Sequence, residues 1–166
     1  KIVLILVGRI ASGKSTFAKA LEEHLPNRFR RCNQDDLGDR RKVETLARAT
    51  LREGMSPCVD RVNFDPSQRA HWINIAREFA GTPVWVIVFD TPSEVCAARL
   101  RERTSHPTIK TPEDGLDILA RFESIFKWPS SQEGYDRLIS ISPAQHIAPM
   151  WTCDEINSIL QKLEDS

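Results

Sequence analysis

No apolar run in this chain approaches the roughly twenty residues that a membrane-crossing helix needs, so no membrane partner is expected. Cysteine is sparse and scattered. Cys32, Cys58, Cys96 and Cys153 form no Cys-x-x-Cys pair and have no histidines at ligand spacing, which argues against a zinc site or a disulfide framework and for reduced core thiols. An intracellular setting, nuclear or cytoplasmic, is the expectation that follows. Nor does a secretory signal precede the first apolar run; Lys1 already stands at it, compatible with further sequence ahead. Charge of one sign is not in excess, since 23 basic and 23 acidic residues give a formal net charge of zero. A non-specific nucleic-acid binder is usually basic throughout. Contact with a polynucleotide would therefore have to come from local arginines: Arg28 with Arg30 and Arg31, Arg40 with Arg41, or Arg99 with Arg101 and Arg103. Each group reads equally well as a solvated face. His24, His71, His106 and His146 lack ligand spacing and a nucleophile partner and are assigned no chemistry. Repeats, linkers and low-complexity tracts are missing too. With 40% hydrophobic and 28% charged residues, 166 positions read as one soluble globular domain spanning residues 1–166.

What is present is a short stretch with a mechanism. Gly8-Arg9-Ile10-Ala11-Ser12-Gly13-Lys14-Ser15-Thr16 follows the apolar run 2–7 and opens the amphipathic segment 14–25. Glycine, four residues, then Gly-Lys-Ser is a phosphate-binding loop, here between a buried strand and a helix start. Its glycines let successive N–H groups turn into one anion-sized hollow, and the helix N-terminus adds its positive end. Gly8, Ser12, Gly13, Lys14, Ser15 and Thr16 are the expected nucleotide contacts. Lys14 would reach the β- and γ-phosphates of ATP, and the Ser15 hydroxyl would ligate Mg²⁺.

The remaining chain alternates strands and helices. Residues 28–34 read as a short strand ending in an acidic turn, 40–53 as a helix, 55–59 as a strand delivering Asp60. Asp65-Pro66-Ser67-Gln68 carries the grammar of a helix start with a capping box, and Thr91-Pro92-Ser93-Glu94 repeats it after the apolar strand 84–89. Residues 111–127 form a further expected helix, 137–141 a last strand, and 152–163 a closing helix with Glu155 as capping partner. Such alternation gives a parallel sheet of about five strands with helices on both faces, the α/β architecture of P-loop NTPases and kinases. Ligands bind at the carboxyl ends of these strands. The phosphate loop, Asp35, Asp60 with Asn63, and Asp90 should converge there.

Phosphoryl transfer to a hydroxyl needs a group that positions and deprotonates the acceptor, and a carboxylate is the usual one. Asp35 is the choice, as a carboxylate ending the second strand beside the loop strand; Asp36 would then cap the next helix. The alternative for Asp35 is itself a helix cap. Asp60 could hold a Mg²⁺-bound water or the acceptor, or be a loop carboxylate satisfied by backbone N–H groups. Arg99 and Arg103 lie one turn apart on one helix face, ahead of polar sequence, and read as a lid around residues 99–112 or as a solvated face. Trp72, Trp85 and Trp151 read as packing; Trp128 beside Pro129 could stack on a base or anchor a loop.

With these residues in hand, the chain resembles the 5′-hydroxyl polynucleotide kinase domain of nucleic-acid end-healing enzymes. The resemblance runs from residue 2 to about 141 and rests on the phosphate loop, on Asn33-Gln34-Asp35-Asp36-Leu37-Gly38, and on Asp60-Arg61-Val62-Asn63-Phe64-Asp65-Pro66 followed by Arg69. The segment Arg99 to Thr104 with Ser105-His106-Pro107, and Arg121-Phe122-Glu123 onward to Gly134, extend it. It implies ATP and Mg²⁺ as cofactors and a 5′-hydroxyl end of DNA or RNA as partner. It also implies Asp35 as general base, Lys14 and Ser15 as phosphate and metal contacts, Arg99 and Arg103 as lid arginines, and Asp60, Asn63 and Arg69 on the acceptor side. Gln34 departs from the family's usual arginine, removing a charge that could hold an acceptor phosphate. No Asp-x-Asp-Gly-Thr phosphatase motif is present. Other readings are a small-molecule kinase acting on a nucleoside or metabolite, and a non-catalytic nucleotide-binding module of a larger RNA-processing protein.

Overall fold

The computed structural model describes residues 1–102, 111–142 and 150–166. Its elements are β1 (Val3–Gly8), α1 (Lys14–His24), β2 (Phe29–Asn33), α2 (Gln34–Leu37), α3 (Arg40–Arg52), β3 (Ser56–Asp60), α4 (Pro66–Arg77), β4 (Val84–Phe89), α5 (Ser93–Glu102), α6 (Pro112–Ile125), β5 (Arg137–Ile141) and α7 (Cys153–Asp165), with a 3-10 turn at Ser131–Glu133. Every strand pairing is parallel, in the order β2-β3-β1-β4-β5. This is the α/β P-loop NTPase fold. No helix among the described residues is long and apolar enough to cross a membrane.

The pleat explains why β1 reads as one unbroken apolar run: successive side chains serve two different cores. Leu4 and Leu6 pack with Phe17 and Leu21 of α1 and with Ile156 and Leu163 of α7. Val3, Ile5 and Val7 pack with Val43 and Leu51 of α3 and with Trp72 of α4. Both faces are covered, so a polar substitution anywhere along β1 meets apolar neighbours. Cys32, Cys58 and Cys96 sit buried in these layers and Cys153 is exposed, none in a disulfide. Burial pushes the Cys32 thiol up to about 12, which keeps it protonated and inert.

The strand order corrects one placement. The sequence reading sets the strand that ends at Asp35 beside β1, yet β3 lies between them. Asp60 therefore ends the neighbouring strand, in register with Leu6, and Asp35 stands one strand further out, in the first turn of α2.

Helix starts follow the capping grammar with two instructive exceptions. Asp65 accepts the Gln68 N–H at 2.8 Å, Thr111 accepts the Asp114 N–H at 3.2 Å, and Thr152 with Glu155 forms a reciprocal box at the head of α7. The Gln68 amide oxygen, however, accepts from Arg61 rather than closing a box. The Thr91 hydroxyl, expected near the cap of α5, instead donates to the Ser12 carbonyl at 2.8 Å. A carbonyl of the phosphate loop is the stronger claimant because it is buried and needs a donor.

Candidate functional site

The loop between β1 and α1 is shaped by close approach. A Cβ on Gly8 would lie 2.6 Å from the Ser12 Oγ and 3.0 Å from the Phe89 Cβ, so only glycine fits there. Gly13, at φ 107°, and Ala11, at φ 63°, turn the chain through left-handed backbone into α1. The loop's carbonyls are tied back: Lys14 Nζ donates to the Gly8 and Arg9 carbonyls at 2.9 and 2.8 Å, Thr91 to Ser12, and Arg99 to Ala11 at 3.0 Å. Carbonyls held this way leave the N–H edge of the loop to line the hollow, which is what an anion needs. A cleft of about 490 Å³ opens over it, lined by the loop residues from Ile10 to Thr16 and by Arg31, Asp35, Asp60, Arg61 and Phe122 among others.

Asp60 is buried at the loop end of this cleft, and a single oxygen, its Oδ2, carries three hydrogen bonds. Ser15 Oγ donates at 2.9 Å, Arg31 Nε at 2.8 Å and Asn33 Nδ2 at 3.0 Å. Burying a carboxylate is costly unless donors satisfy it, and Arg31, only 12% exposed, supplies the compensating charge. Asp60 thus stands beside Ser15 at the foot of the phosphate loop, within the cleft that Asp35 also lines. A hydroxyl and a carboxylate held together at the foot of a phosphate loop fit a Mg²⁺ ion that keeps most of its ligands as water and phosphate. Among the described residues no cluster of three or more His, Cys, Asp or Glu forms a metal cage.

Asp35 and Asp36 both line the cleft, whereas the sequence reading has Asp36 capping the next helix. They differ in what holds them. Asp36 accepts from Arg31 at 2.7 Å. Neither is a helix cap: Asn33 caps α2 through the Asp36 N–H, and Asp39 caps α3 through the Lys42 N–H. Asp35 is exposed on the first turn of α2, facing a cleft that also contains the complete phosphate loop.

The structure places Asn63 in the cleft lining and Arg69 behind it, each tied to the loop that follows Asp60. The Asn63 amide, at φ 51°, donates to the Leu6 carbonyl at 2.8 Å and accepts from the Trp72 indole at 2.9 Å. Arg69, 1% exposed, forks onto Glu133 at 2.6 and 2.9 Å and donates to the Asn63 carbonyl at 2.8 Å. Arg69 lies outside the cleft lining. Together they pin the loop that follows Asp60, which holds the carboxylate in place. Burial pushes the Glu133 carboxyl up, but the hydrogen bonds from Arg69 and from Ser130 outweigh it and hold the value below 4.5. A depressed carboxylate stabilises the fold above its unfolded value and stops doing so as pH falls through its folded value. Glu133→Gln should accordingly cost about 3 kcal/mol or more at pH 7, because Arg69 stays buried without its counterion. Denaturant titrations from pH 7 to 3 should show the gap to wild type narrowing in acid; a gap of constant size would remove the ion pair from the stability of the fold.

Of the two expected lid arginines, Arg103 lies outside the described residues, as does most of the 99–112 segment. Arg99 is placed: its guanidinium meets the Ala11 carbonyl, at the rim of the phosphate loop. Arg9 is a residue that sequence reasoning passed over. It forks onto Glu123 of α6 at 2.8 and 3.0 Å, donates to the Thr91 carbonyl at 3.0 Å, and lies 5.2 Å over the Trp128 ring. Glu123's hydrogen bonds hold its guanidinium charged. Arg9 thus clamps α6 to the phosphate loop, and Trp128 packs on Phe126 at 4.4 Å while staying partly exposed. The signal was an arginine at a loop position the motif leaves open, but nothing in the sequence names a partner 114 residues away. Asp90 does not join the cleft; it is exposed beyond β4. The first arginine group is also consumed: Arg30 pairs with Glu53, Arg31 with Asp60 and Asp36, and Arg28 lies over Phe29.

Comparison with known proteins agrees with this geometry. Residues 3–125 match the model of the AAA domain family. The chain is 31% identical over 134 residues to the bifunctional polynucleotide phosphatase/kinase of Schizosaccharomyces pombe, covering 80% of this chain and 31% of that protein. It is 30% identical over 145 residues to transcription factor bHLH140 of Arabidopsis thaliana, covering 84% of this chain and 16% of the relative. The chain thus spans under a third of the length of either protein. A fungal RNA kinase structure superposes with a TM-score of 0.75 at 15% identity, over all of this chain and 87% of that one.

Proposed function

The chain belongs to the AAA domain family and has a P-loop kinase fold with polynucleotide-kinase relatives, and on that premise we propose that it transfers the γ-phosphoryl group of ATP to a 5′-hydroxyl end of DNA or RNA. The observation that supports this most is one cleft lined by both the phosphate loop and the exposed carboxylate of Asp35. In this reading the loop N–H groups and Lys14 cradle the β- and γ-phosphates. Arg99, already at the loop rim, neutralises charge that develops on the transferring group. Ser15 and Asp60 would hold Mg²⁺, whose chemistry is to neutralise phosphate charge. Asp35 accepts the proton of the acceptor hydroxyl as its oxygen bonds to phosphorus. The bond from phosphorus to the bridging oxygen breaks on the opposite side, and ADP leaves.

The Asn33–Asp60 tie matters here. It joins the ends of β2 and β3 through Nδ2 bonds of 3.0 Å to both the carbonyl and the carboxylate of Asp60. The base-bearing turn and the metal-side carboxylate are thereby held in fixed relation, and such preorganisation is where this kind of catalysis gains most of its rate.

Labelled ATP offered with 5′-hydroxyl DNA and RNA oligonucleotides, beside a panel of nucleosides and small metabolites, tests the proposal. The expected result is label at an oligonucleotide 5′ end, with acceptor KM rising as salt is added because phosphate contacts are screened. Label on nucleosides alone would make the chain a small-molecule kinase. Binding of ATP with no transfer to any acceptor would leave a nucleotide-binding module.

A further inference from the structure

Helix α6 contributes to the cleft without belonging to the main body of the fold. Its buried residues are Gly115 and Leu119, and among the described residues those of α6 join neither sheet core. Leu119 instead packs with Cys96 and Leu100 of α5 and with Ala11 of the phosphate loop in a separate, smaller cluster. Yet Ile118 and Phe122, one turn apart, line the cleft. Phe122 meets Phe64, from the loop after β3, with 5.0 Å between ring centroids. Phe64, Ile118 and Phe122 give an apolar wall to a cleft lined mostly by polar and charged side chains. This wall is tied to its surroundings through Lys127 and Glu123. The Lys127 N–H, just past α6, donates to the Phe64 carbonyl at 2.7 Å. Glu123, next to Phe122, takes the fork of Arg9 at 2.8 and 3.0 Å.

Arg9 itself lies outside the cleft lining. The phosphate loop does not need this side chain for its own shape: Lys14 holds the Gly8 and Arg9 carbonyls, Thr91 that of Ser12 and Arg99 that of Ala11. The guanidinium therefore serves α6. Its planar fork accepts one placement of the two carboxylate oxygens. The Thr91 carbonyl at 3.0 Å and the Trp128 ring at 5.2 Å fix the guanidinium in turn. The donor phosphates belong to the hollow, Lys14 and Arg99, which leaves the apolar wall for the second reactant. Resting on the kinase reading above, we propose that Arg9 is a positioning residue for the acceptor: through Glu123 it sets the Phe122 wall against the phosphate loop, so that an acceptor held on that wall arrives in line with the γ-phosphate. A misplacement of about 1 Å costs about 10²-fold in rate. A partly exposed ion pair of slight value to the fold thereby carries a large share of the alignment.

The test reads donor and acceptor separately. ADP affinity, affinity of the ADP-loaded protein for a 5′-hydroxyl oligonucleotide, and acceptor kcat/KM at saturating ATP are measured for wild type, Arg9→Gln, Glu123→Gln, the double variant and Arg9→Lys. Each single glutamine variant should lower oligonucleotide affinity and acceptor kcat/KM by about tenfold. The double variant should be no worse than either single, since both remove the same interaction. Arg9→Lys, which keeps the charge but not the fork, should recover only part. ADP affinity should stay within about twofold throughout, because the ties that shape the loop are untouched. A loop deformed by the loss of Arg9 would lose ADP affinity together with the acceptor, and that pattern overturns the positioning role. Wild-type acceptor affinity and kcat/KM in Arg9→Gln overturn it too, even where transfer itself proceeds. Oligonucleotide affinity that depends on Arg9 and Glu123, with no transfer to the bound end, upholds the clamped wall and overturns the kinase reading instead. A wild type that neither binds nor phosphorylates the oligonucleotide overturns both.

Discussion

Asp35→Asn should lower phosphoryl transfer by about 10²–10⁴, the range that a positioned general base supplies, while ADP affinity stays within about twofold of wild type. The substitution keeps the shape of the side chain and removes its capacity to take a proton. The helix keeps its cap: α2 is capped by Asn33, not Asp35, and Asp35 is exposed on the helix surface. Asp36→Asn is the matched control. That residue is on the same four-residue helix and lines the same cleft, but its carboxylate is engaged with Arg31 at 2.7 Å. Its charge serves that ion pair, so Asp36→Asn should lower transfer far less than Asp35→Asn. Single-turnover rates with saturating ATP, measured beside ADP titrations, separate chemistry from binding. Wild-type turnover in the Asp35 variant, or a loss confined to the Asp36 variant, would remove Asp35 from the reaction.

That the two aspartates can be told apart only in three dimensions shows where the sequence was sufficient and where it was not. The alternation of apolar runs and amphipathic segments was readable because each obeys one local period: β1 is apolar throughout because two cores share it, and α7 carries its stripe of Ile156, Ile159, Leu160 and Leu163. Helix boundaries came within a few residues since Asp65, Thr111 and Thr152 cap through a bond only three residues long. Strand order is another matter. Nothing local distinguishes β2 from β3 as the neighbour of β1, and the error placed Asp35 one strand too close to the phosphate loop. Asn63 and Arg69 carry the residue types of a binding site, but a buried amide and a buried guanidinium are satisfied by whichever acceptors the fold brings close. Here those were Leu6 and Glu133, distant by 57 and 64 positions. Arg9 and Arg31 were invisible for the same reason, their partners being set by packing rather than by spacing.

Lys14→Ala should act on both binding and chemistry. In this structure the ammonium is buried and bridges the Gly8 and Arg9 carbonyls, with the Ser12 hydroxyl at 3.3 Å. Those contacts place a full positive charge at the floor of the hollow before any phosphate arrives. A lysine has three donors on a flexible stem, so phosphate oxygens can take some of them without the loop losing its clasp. Removing a charge-assisted bond of this sort costs about 1.5–3 kcal/mol, roughly a 10- to 100-fold loss of ADP affinity. Transfer should fall further, by ~10³, because charge on the phosphoryl oxygens grows as the bridging bond breaks and the site would meet it with one cation fewer. Stability of the nucleotide-free protein should drop by about 1–3 kcal/mol, since the Gly8 and Arg9 carbonyls lose a shared donor. The two variants therefore leave different signatures, Asp35→Asn in rate alone and Lys14→Ala in rate and affinity together. Equal ADP affinity in Lys14→Ala and wild type would take the ammonium off the phosphates and leave it as a clasp on the loop carbonyls only.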